Sequence, residues 1–250
     1  MPIERIQRAA VPMESEPESA ILTRDLKAIF FDAGGTLIHL DSSYICGALR
    51  EKLDIELSQD RFRRAQFLGM SRVAELVAAG VGSTEKLKRD FYSTLLPEVG
   101  VTDVKLPAAV ECVLKLAHSE MLWRTTDETS GRTLGQLKAR GLSLAIVSNS
   151  DGRIESAFQQ AGLAGYFDFF IDSFNVGVEK PDPEIFRLAT ERAGVAANEA
   201  AYVGDLYSVD VVGARNAGLI PVLYDPYNLV PKADCVRISS IEDLLTVSVP

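Results

Sequence analysis

The chain has few of the residues that form covalent cross-links or soft metal sites: three cysteines, two histidines and one tryptophan among 250 residues. Cys46, Cys112 and Cys235 are odd in number and far apart, which argues against a disulfide framework and against a zinc-binding spacing. Because unpaired thiols are typical of a reducing compartment, we expect a cytoplasmic protein.

Basic residues and long apolar runs are also scarce. There are 26 lysines and arginines against 35 aspartates and glutamates, a formal net charge of −9. Because nucleic acids attract basic surfaces, we expect no nucleic-acid partner, whereas a small anionic substrate needs only one positive pocket. No apolar run approaches the length of a membrane span, and residues 1–20 lack the apolar centre of a signal peptide. We therefore expect no membrane association and a loosely held N-terminal tail.

One stretch near the N-terminus organises the chain. The apolar run Ala28–Phe31 leads directly into Asp32, and Gly34 and Gly35 follow at once. An unbroken apolar run bounded by a turn signal predicts a strand buried on both faces, as in a parallel sheet covered by helices. Ligands bind at the carboxyl edge of such a sheet, so Asp32 is placed where chemistry is expected.

Residues 125–250 alternate between helical and strand patterns, which predicts a doubly wound parallel α/β sheet. The predicted strands are Leu142–Val147, Phe167–Ile171, Ala200–Val203, Ile220–Tyr224 and Val236–Ile238. The predicted helices are Arg132–Arg140, Arg153–Gln160, one capped by Asp182 and starting at Pro183, Val209–Ala217, and one from Ile241.

Residues 41–124 show helical patterns and no strand alternation. The predicted helices are Ser43–Leu53, Ser58–Ala79 ended by Gly80 and Gly82, Thr84–Leu96 with Pro97 just beyond it, and Pro107–His118. We interpret this segment as an all-helical domain inserted into a core of residues 21–40 and 125–250. Its aromatic residues Phe62, Phe67, Phe91 and Tyr92 have helical spacing, which favours a core role over a ligand site.

Polar residues follow three of the predicted strands: Asp32, Ser148 and Asp205. Parallel strands place these ends at one edge, and Lys180, in the extended loop before Pro183, is within reach of it. Crowded carboxylates need cations, and carboxylate and carbonyl oxygens suit Mg²⁺. With Mg²⁺ and Lys180 present, such a pocket accepts a phosphate dianion, to which Ser148 can donate a hydrogen bond.

The residues now resemble a known family, the haloacid dehalogenase-like hydrolase superfamily, in the phosphatase-like branch with a helical cap inserted after the first motif. Four elements match in order: Asp32-Ala33-Gly34-Gly35-Thr36, Val147-Ser148-Asn149, Glu179-Lys180-Pro181, and Val203-Gly204-Asp205 followed by Asp210. The similarity extends over most of residues 25–245.

The resemblance implies a Mg²⁺-dependent phosphatase that acts on a small phosphorylated metabolite through an aspartyl-phosphate on Asp32. The residues that would bind the substrate are Thr36, which would hydrogen-bond near Asp32, and Ser148, Asn149 and Lys180, the last also a catalytic residue. The residues that would bind the metal are Asp32, Gly34 through its carbonyl, and Asp205, with Asp210 as a ligand or as a partner of the ligands. For Ser148 and Asp210 the alternative interpretation is capping of a helix or turn.

The sequence departs from the family at Gly34, where its phosphatases usually carry a second aspartate as general acid and base. This departure leaves two alternatives open: a catalytically weak relative that binds a phosphorylated ligand or a partner, and a dehalogenase or phosphonatase. Dehalogenases of the family need no metal, whereas Gly204-Asp205 resembles a metal site. A phosphonatase needs a cap lysine, and we interpret the candidates as solvated: Lys52, Lys86, Lys88, Lys105 and Lys115.

The two histidines have no assigned role at this level. We expect His118 on a helix surface, and His39, which closely follows the first motif, is a weaker candidate to face the site. The substrate and the oligomeric state remain open.

Overall fold

The computed structural model describes residues 26–80 and 84–246. The expected tail, residues 1–20, and the predicted helix stop at Gly82 lie outside the described residues. Within them, no helix is both long and apolar enough to cross a lipid bilayer. The three cysteines are unpaired, as predicted.

The core is a parallel sheet, as the alternating pattern predicted. The strands, in chain order, are β1 (Ala28–Phe31), β2 (His39–Leu40), β3 (Trp123–Thr125), β4 (Ser143–Ser148), β5 (Phe169–Asp172), β6 (Ala200–Gly204), β7 (Ile220–Tyr224) and β8 (Val236–Ile238). Within the described residues, six of them form one sheet in the order β5-β4-β1-β6-β7-β8, and all of its pairings are parallel. The strand order therefore places β1 at the centre, between β4 and β6.

β1 is buried on both faces, which explains its unbroken apolar sequence. Ile29 and Phe31 pack into one hydrophobic cluster of the core. Ala28 and Phe30 pack into a second cluster on the opposite face. Because neighbouring residues of a strand point to opposite faces, an apolar residue is required at every position.

The helices follow the predicted order with some changes at their ends. They are α1 (Ser42–Leu53), α2 (Phe62–Ala78), α3 (Thr84–Glu98), α4 (Leu106–Ser119), α5 (Ser130–Ala139), α6 (Ile154–Gln160), α7 (Ser173–Val176), α8 (Pro183–Ala193) and α9 (Val212–Asn216). As predicted, Asp182 caps α8: its side chain accepts a hydrogen bond from the Glu184 amide. The helix predicted from Ile241 is the 3-10 segment Ile241–Leu245.

Two other predicted boundaries were wrong. α3 continues through Pro97 to Glu98, since a proline in the last turn removes a single donor close to the helix end. The helix predicted as Val209–Ala217 is a π-helical turn, Tyr207–Val211, followed by the short α9.

Helices α1–α4 form the helical insertion, residues 42–119, which has a hydrophobic cluster of its own. Phe62, Phe91 and Tyr92 lie in this cluster, as their spacing predicted. Phe67 instead packs on the sheet core, with ring centroids 5.9 Å from Tyr224 and 5.3 Å from Tyr227. The insertion is therefore packed directly onto the carboxyl side of the core.

The expectation of no strand in residues 41–124 was wrong at its end, because β3 begins at Trp123 and pairs antiparallel with β2. These strands contain three and two residues, too few to give an alternating pattern. The pairing ties the two connections between the insertion and the core together, and the Thr125 hydroxyl donates to the His39 carbonyl at 3.0 Å.

Candidate active site

The carboxyl ends of three neighbouring strands bring predicted site residues together. Asp32, Ser148 and Asp205 follow or end β1, β4 and β6, and each is more than nine-tenths buried. The Asp32 amide donates to the Val203 carbonyl at 2.8 Å, and the Ser148 hydroxyl lies 3.5 Å from Asp32 Oδ1. Residues 116 positions apart therefore meet at one edge of the sheet.

The ammonium group of Lys180 lies at the centre of this edge. Its Nζ donates to Asp32 Oδ1 at 2.6 Å, to Asp210 Oδ1 at 2.7 Å and to the Tyr202 hydroxyl at 2.8 Å. The Tyr202 hydroxyl in turn donates to the Val147 carbonyl at 2.7 Å. All three ammonium hydrogens have acceptors, so the Lys180 side chain is held in one position beside Asp32.

Asn149 fixes the backbone of the loop that carries Lys180. The Asn149 amide group donates to the Lys180 carbonyl at 2.9 Å, and its Oδ1 accepts from the Lys180 N–H at 2.7 Å. The resemblance implied that Asn149 binds substrate. In the structure its side chain positions the lysine that lies beside Asp32.

A close approach of backbone and carboxylate holds Asp205 in place. A Cβ on Gly35 would lie 2.5 Å from Asp205 Oδ2, and the φ of Gly35, +103°, suits glycine alone. The Thr36 hydroxyl donates to Asp205 Oδ1 at 3.3 Å, and this carboxylate lies in the same cluster as Asp32. The motif after β1 therefore builds the site for Asp205 as well as for Asp32.

The π-helical turn directs Asp210 into the same edge. Its Oδ1 accepts from Lys180 and its Oδ2 accepts from the Leu206 amide at 2.9 Å. A Cβ on Gly204 would lie 2.4 Å from Asp210 Cγ, so glycine is needed for this approach. Asp210 thus caps a turn, the alternative interpretation, and also lies in the site.

The cluster carries more negative than positive charge. Oxygen atoms of Asp32, Asp205 and Asp210 lie within 4.8 Å of one another, and the Lys180 ammonium forms ion pairs with two of them, Asp32 and Asp210. Burial opposes the charge of Lys180, but the carboxylates of Asp210 and Asp32 raise its pKa well above 10.5, so it is protonated. Burial, and after it the nearby Asp32 and Asp210, raise the pKa of Asp205 well above 3.8.

The donor set fits a divalent cation. Asp205 Oδ2 is buried and has no hydrogen-bond partner within the described residues, so it is an unsatisfied acceptor at this site. A hard cation that prefers carboxylate oxygens would bind this atom and offset the excess negative charge of the three carboxylates. Mg²⁺ meets both requirements.

Gly34, the position where the resemblance implied an acid in related phosphatases, is covered by an indole ring. A Cβ built on Gly34 would lie 3.3 Å from Cε3 and Cζ3 of Trp123, and the φ of Gly34 is one that other residues adopt. The Trp123 ring packs on the cluster of the core and on that of the insertion, with its centroid 5.9 Å from that of Phe91. An aromatic ring therefore stands where a carboxyl group would otherwise project.

A cavity of about 410 Å³ opens onto this edge and extends between the core and the helical insertion. Its floor includes Asp32, Gly34 and Lys180, and its walls include Phe91 and Tyr92. The spacing of these two aromatic residues favoured a core role over a ligand site. They are buried and also face the cavity.

Sequence reasoning missed Tyr202 and Trp123. Tyr202 carries the one side-chain hydroxyl in the strand Ala200–Gly204, which was an available signal for a buried polar contact. Trp123 is the chain's single tryptophan, but nothing in its neighbours indicated that it contacts Gly34.

The histidines lie away from this site. His39 is 2% exposed and contacts Arg63 through Nε2 and Gln66 through Nδ1, at the junction of the insertion and the core. Burial and the Arg63 guanidinium lower the pKa of His39 well below 6.5. His118 is exposed on α4, as predicted. Within the described residues, neither histidine lines the cavity.

Comparison with known proteins places the chain among similar sequences and folds. A "Haloacid dehalogenase-like hydrolase domain-containing protein 3" of Mus musculus is 44% identical over 101 residues, 40% of each chain. A phosphoserine phosphatase of Thermus thermophilus is 43% identical over 93 residues, 37% of each chain. The matched segments therefore span well under two thirds of these relatives.

Structural comparison extends over nearly the whole chain. A HAD-hydrolase from Bacillus subtilis, YfnB, solved bound to magnesium, aligns with a TM-score of 0.64 and 19% identity. The alignment covers 89% of this chain and 98% of that one, which shows a common fold. The sequence profile of the haloacid dehalogenase-like hydrolases matches residues 26–218, more than half of the chain. The chain belongs to the haloacid dehalogenase-like hydrolase family.

Proposed function

We propose that this hydrolase is a Mg²⁺-dependent phosphatase acting on a small phosphorylated metabolite. The observation that carries the proposal is the buried cluster in which Lys180 contacts Asp32 and Asp210, while Asp205 Oδ2 has no partner among the described residues. Such a site supplies a carboxylate nucleophile, a fixed cation for a phosphate oxygen and ligands for Mg²⁺. The phosphoserine phosphatase among the similar sequences supports a phosphate monoester as substrate.

We assign the first step to Asp32. One of its carboxylate oxygens forms a bond to the phosphorus atom. The ester P–O bond breaks, and the leaving oxygen takes the electron pair. In the second step water adds its oxygen to phosphorus, the bond to Asp32 breaks, and a water proton passes to solvent. Lys180 and Ser148 hold the phosphoryl oxygens, since their Nζ and Oγ lie 2.6 Å and 3.5 Å from Asp32 Oδ1. Asn149 and Thr36 position Lys180 and Asp205.

Mg²⁺ would be held by Asp32, by Asp205 and by the Gly34 carbonyl. It would supply a positive charge that offsets the carboxylates and the transferring phosphoryl group. Asp210 would support this arrangement through its hydrogen bonds from Lys180 and the Leu206 amide, which fix Lys180 and the turn beside the ligands.

We assign residues 41–124 to a cap domain over a core of residues 21–40 and 125–250, the cap type inserted after the first motif. The separate hydrophobic cluster of the helical insertion supports this division, and the cavity between it and the core supports a substrate-selecting role. The three unpaired cysteines support a cytoplasmic location, and the net charge of −9 argues against a nucleic-acid substrate.

The test is turnover of phosphate monoesters by the wild type and by Asp32→Asn. Asparagine is nearly isosteric but is a poor nucleophile, so we expect a folded protein with background turnover. Asp103→Asn, at an exposed position, is the matched control and should retain full activity. Phosphatase activity in pure, folded Asp32→Asn protein would refute the role of Asp32.

Metal dependence is tested by chelation. Activity should be lost in excess chelator and restored by Mg²⁺, and Mg²⁺ should raise the melting temperature of the wild type. Undiminished turnover in chelator, with release of halide from a haloacid, would favour the dehalogenase alternative instead.

The glycine at position 34 favours one second candidate, a catalytically weak protein that binds a phosphorylated ligand. Such a protein would bind ligand and would release no burst of leaving group when it is mixed with an excess of ester. A burst equal to the enzyme concentration would exclude it.

A further inference from the structure

The cavity above the site is apolar where it meets the helical insertion. The insertion contributes Met70, Val73, Ala74, Val77, Leu87, Lys88, Phe91, Tyr92 and Ala117 to its walls. Among these described residues, only Lys88 and Tyr92 have polar side-chain atoms. A volume of about 410 Å³ and a predominantly apolar, aromatic lining are typical of small-molecule sites.

Apart from Lys88 and the buried cluster of Asp32, Lys180 and Asp210, the charged side chains that line the cavity are exposed to solvent: Glu120, Asp151, Arg153 and Glu179. Arg153 is also engaged, because its Nη2 lies 2.6 Å from Asp151 Oδ2. A substrate rich in hydroxyl groups would bury them against carbon atoms, which costs free energy for every hydrogen bond left unmade.

Trp123 continues this apolar surface to the catalytic edge. Its ring lies next to Gly34, and the centroids of the Trp123 and Phe91 rings are 5.9 Å apart. A group leaving from phosphorus beside Asp32 therefore meets an indole ring, and no carboxylic acid stands at position 34 to protonate it.

We propose that the substrate is an aryl phosphate monoester, whose aromatic ring occupies the apolar cavity next to Trp123. This inference rests on the proposed phosphatase activity. When the P–O bond breaks, the phenolate oxygen keeps the electron pair, is stabilised by its ring, and takes a proton from solvent afterwards. An alkoxide leaving group has no such stabilisation and needs an acid during bond breaking, which a glycine does not provide.

Binding is measured first, with phosphonates that cannot be hydrolysed and with Mg²⁺ present. Trp123, the single tryptophan of the chain, supplies the fluorescence signal. The probes are methylphosphonate, propylphosphonate, 3-hydroxypropylphosphonate and benzylphosphonate. We expect affinity to rise about four-fold for each methylene group buried, and benzylphosphonate to bind at least about ten-fold more tightly than the hydroxypropyl probe.

A matched pair of variants locates the effect. Val77 lines the cavity and is 37% exposed, whereas Val104 is 92% exposed and lies outside it. Val77→Asp should weaken benzylphosphonate about ten-fold and leave methylphosphonate unchanged, and Val104→Asp should alter neither. Equal affinities along the series, tighter binding of the hydroxypropyl probe, or equal effects of the two variants would overturn the proposal.

Turnover of phenyl phosphate and propyl phosphate then separates this inference from the proposed function. Faster turnover of phenyl phosphate together with the graded affinities supports both. Graded affinities without turnover of any ester support an aryl ligand and refute the phosphatase. Phosphatase activity with ungraded affinities and a preference for polar alkyl esters refutes the aryl ligand and leaves the phosphatase intact.

Discussion

Restoring an acid at position 34 is the most informative perturbation of this site. Gly34→Asp adds a carboxyl group beside the nucleophile, where we propose that the general acid has been lost. A general acid contributes about 10²–10⁴-fold, or about 2.7–5.5 kcal/mol of barrier, when the leaving group needs a proton. Turnover of an alkyl phosphate should therefore rise by up to this factor, and turnover of an aryl phosphate should change little.

The structure sets the cost of this change. The backbone at Gly34 accepts a side chain, but the new Cβ would lie 3.3 Å from the Trp123 ring, so the ring must shift by a few tenths of an ångström. Such overpacking costs about 1–3 kcal/mol of stability. This loss is a loss of folding stability, so it lowers the melting temperature but does not cancel the gain in the catalytic rate.

Two control variants separate the acid from its bulk. Gly34→Ala introduces the Cβ alone and should leave the ratio of alkyl to aryl rates unchanged. Gly34→Asn matches the shape of aspartate but carries no acidic proton, and it should gain nothing on alkyl phosphates. Single-turnover rates measure the ratio, and Trp123 emission reports whether the ring has moved. An equal gain with Asn and Asp, or no gain with Asp while the Ala variant stays active, would refute the argument.

Three further predictions follow from the same structure. Lys180→Met leaves two buried carboxylates without their cation, so urea titrations should show that the free energy of unfolding falls by about 3–5 kcal/mol. The control Lys138→Met breaks an exposed ion pair and should lower the free energy of unfolding by at most about 1 kcal/mol. Below pH 6.5, His39 binds a proton in the unfolded chain but stays neutral when buried in the folded protein, so the free energy of unfolding should fall as the pH falls. This fall should be smaller in His39→Gln, and the same dependence on pH in both proteins would contradict the prediction. Gly35→Ala places a Cβ 2.5 Å from Asp205 Oδ2 at a φ of +103°, so calorimetry should show that the free energy of unfolding falls by more than about 1–2 kcal/mol. A variant that keeps the wild-type melting temperature would count against this close approach.

Much of the fold could be predicted because its signals are local. The run Ala28–Phe31 is apolar at every position because both faces of β1 are covered, and this is visible in the sequence. Asp182 and Pro183 mark the start of α8 by rules that involve neighbouring residues alone. The predicted boundaries near Pro97 and Val209 were wrong because one proline near a helix end, or one extra residue in a turn, changes the backbone little.

Part of the site could be predicted for a different reason. Parallel strands end at one edge, so a polar residue after each apolar run is enough to place Asp32, Ser148 and Asp205 together. The hydrogen-bond partners of these residues within the cluster could not be predicted from the sequence in this way. Asn149 fixes the Lys180 loop, and Thr36 donates to Asp205. Both contacts depend on side-chain directions, which the spacing of residues in the sequence does not specify.

The sequence by itself determined the parallel sheet, the helical insertion and the carboxylate and lysine residues at the sheet edge, because periodicity and strand ends are written in consecutive residues. Only the tertiary structure decided that Tyr202 would accept a hydrogen bond from Lys180, that Trp123 would cover Gly34, and that Asp205 Oδ2 would have no partner in the part of the chain that the structure describes. These contacts join segments far apart in the chain. They depend on how the insertion packs on the core, and that packing is set by the combined burial of many side chains, which no single stretch of sequence encodes.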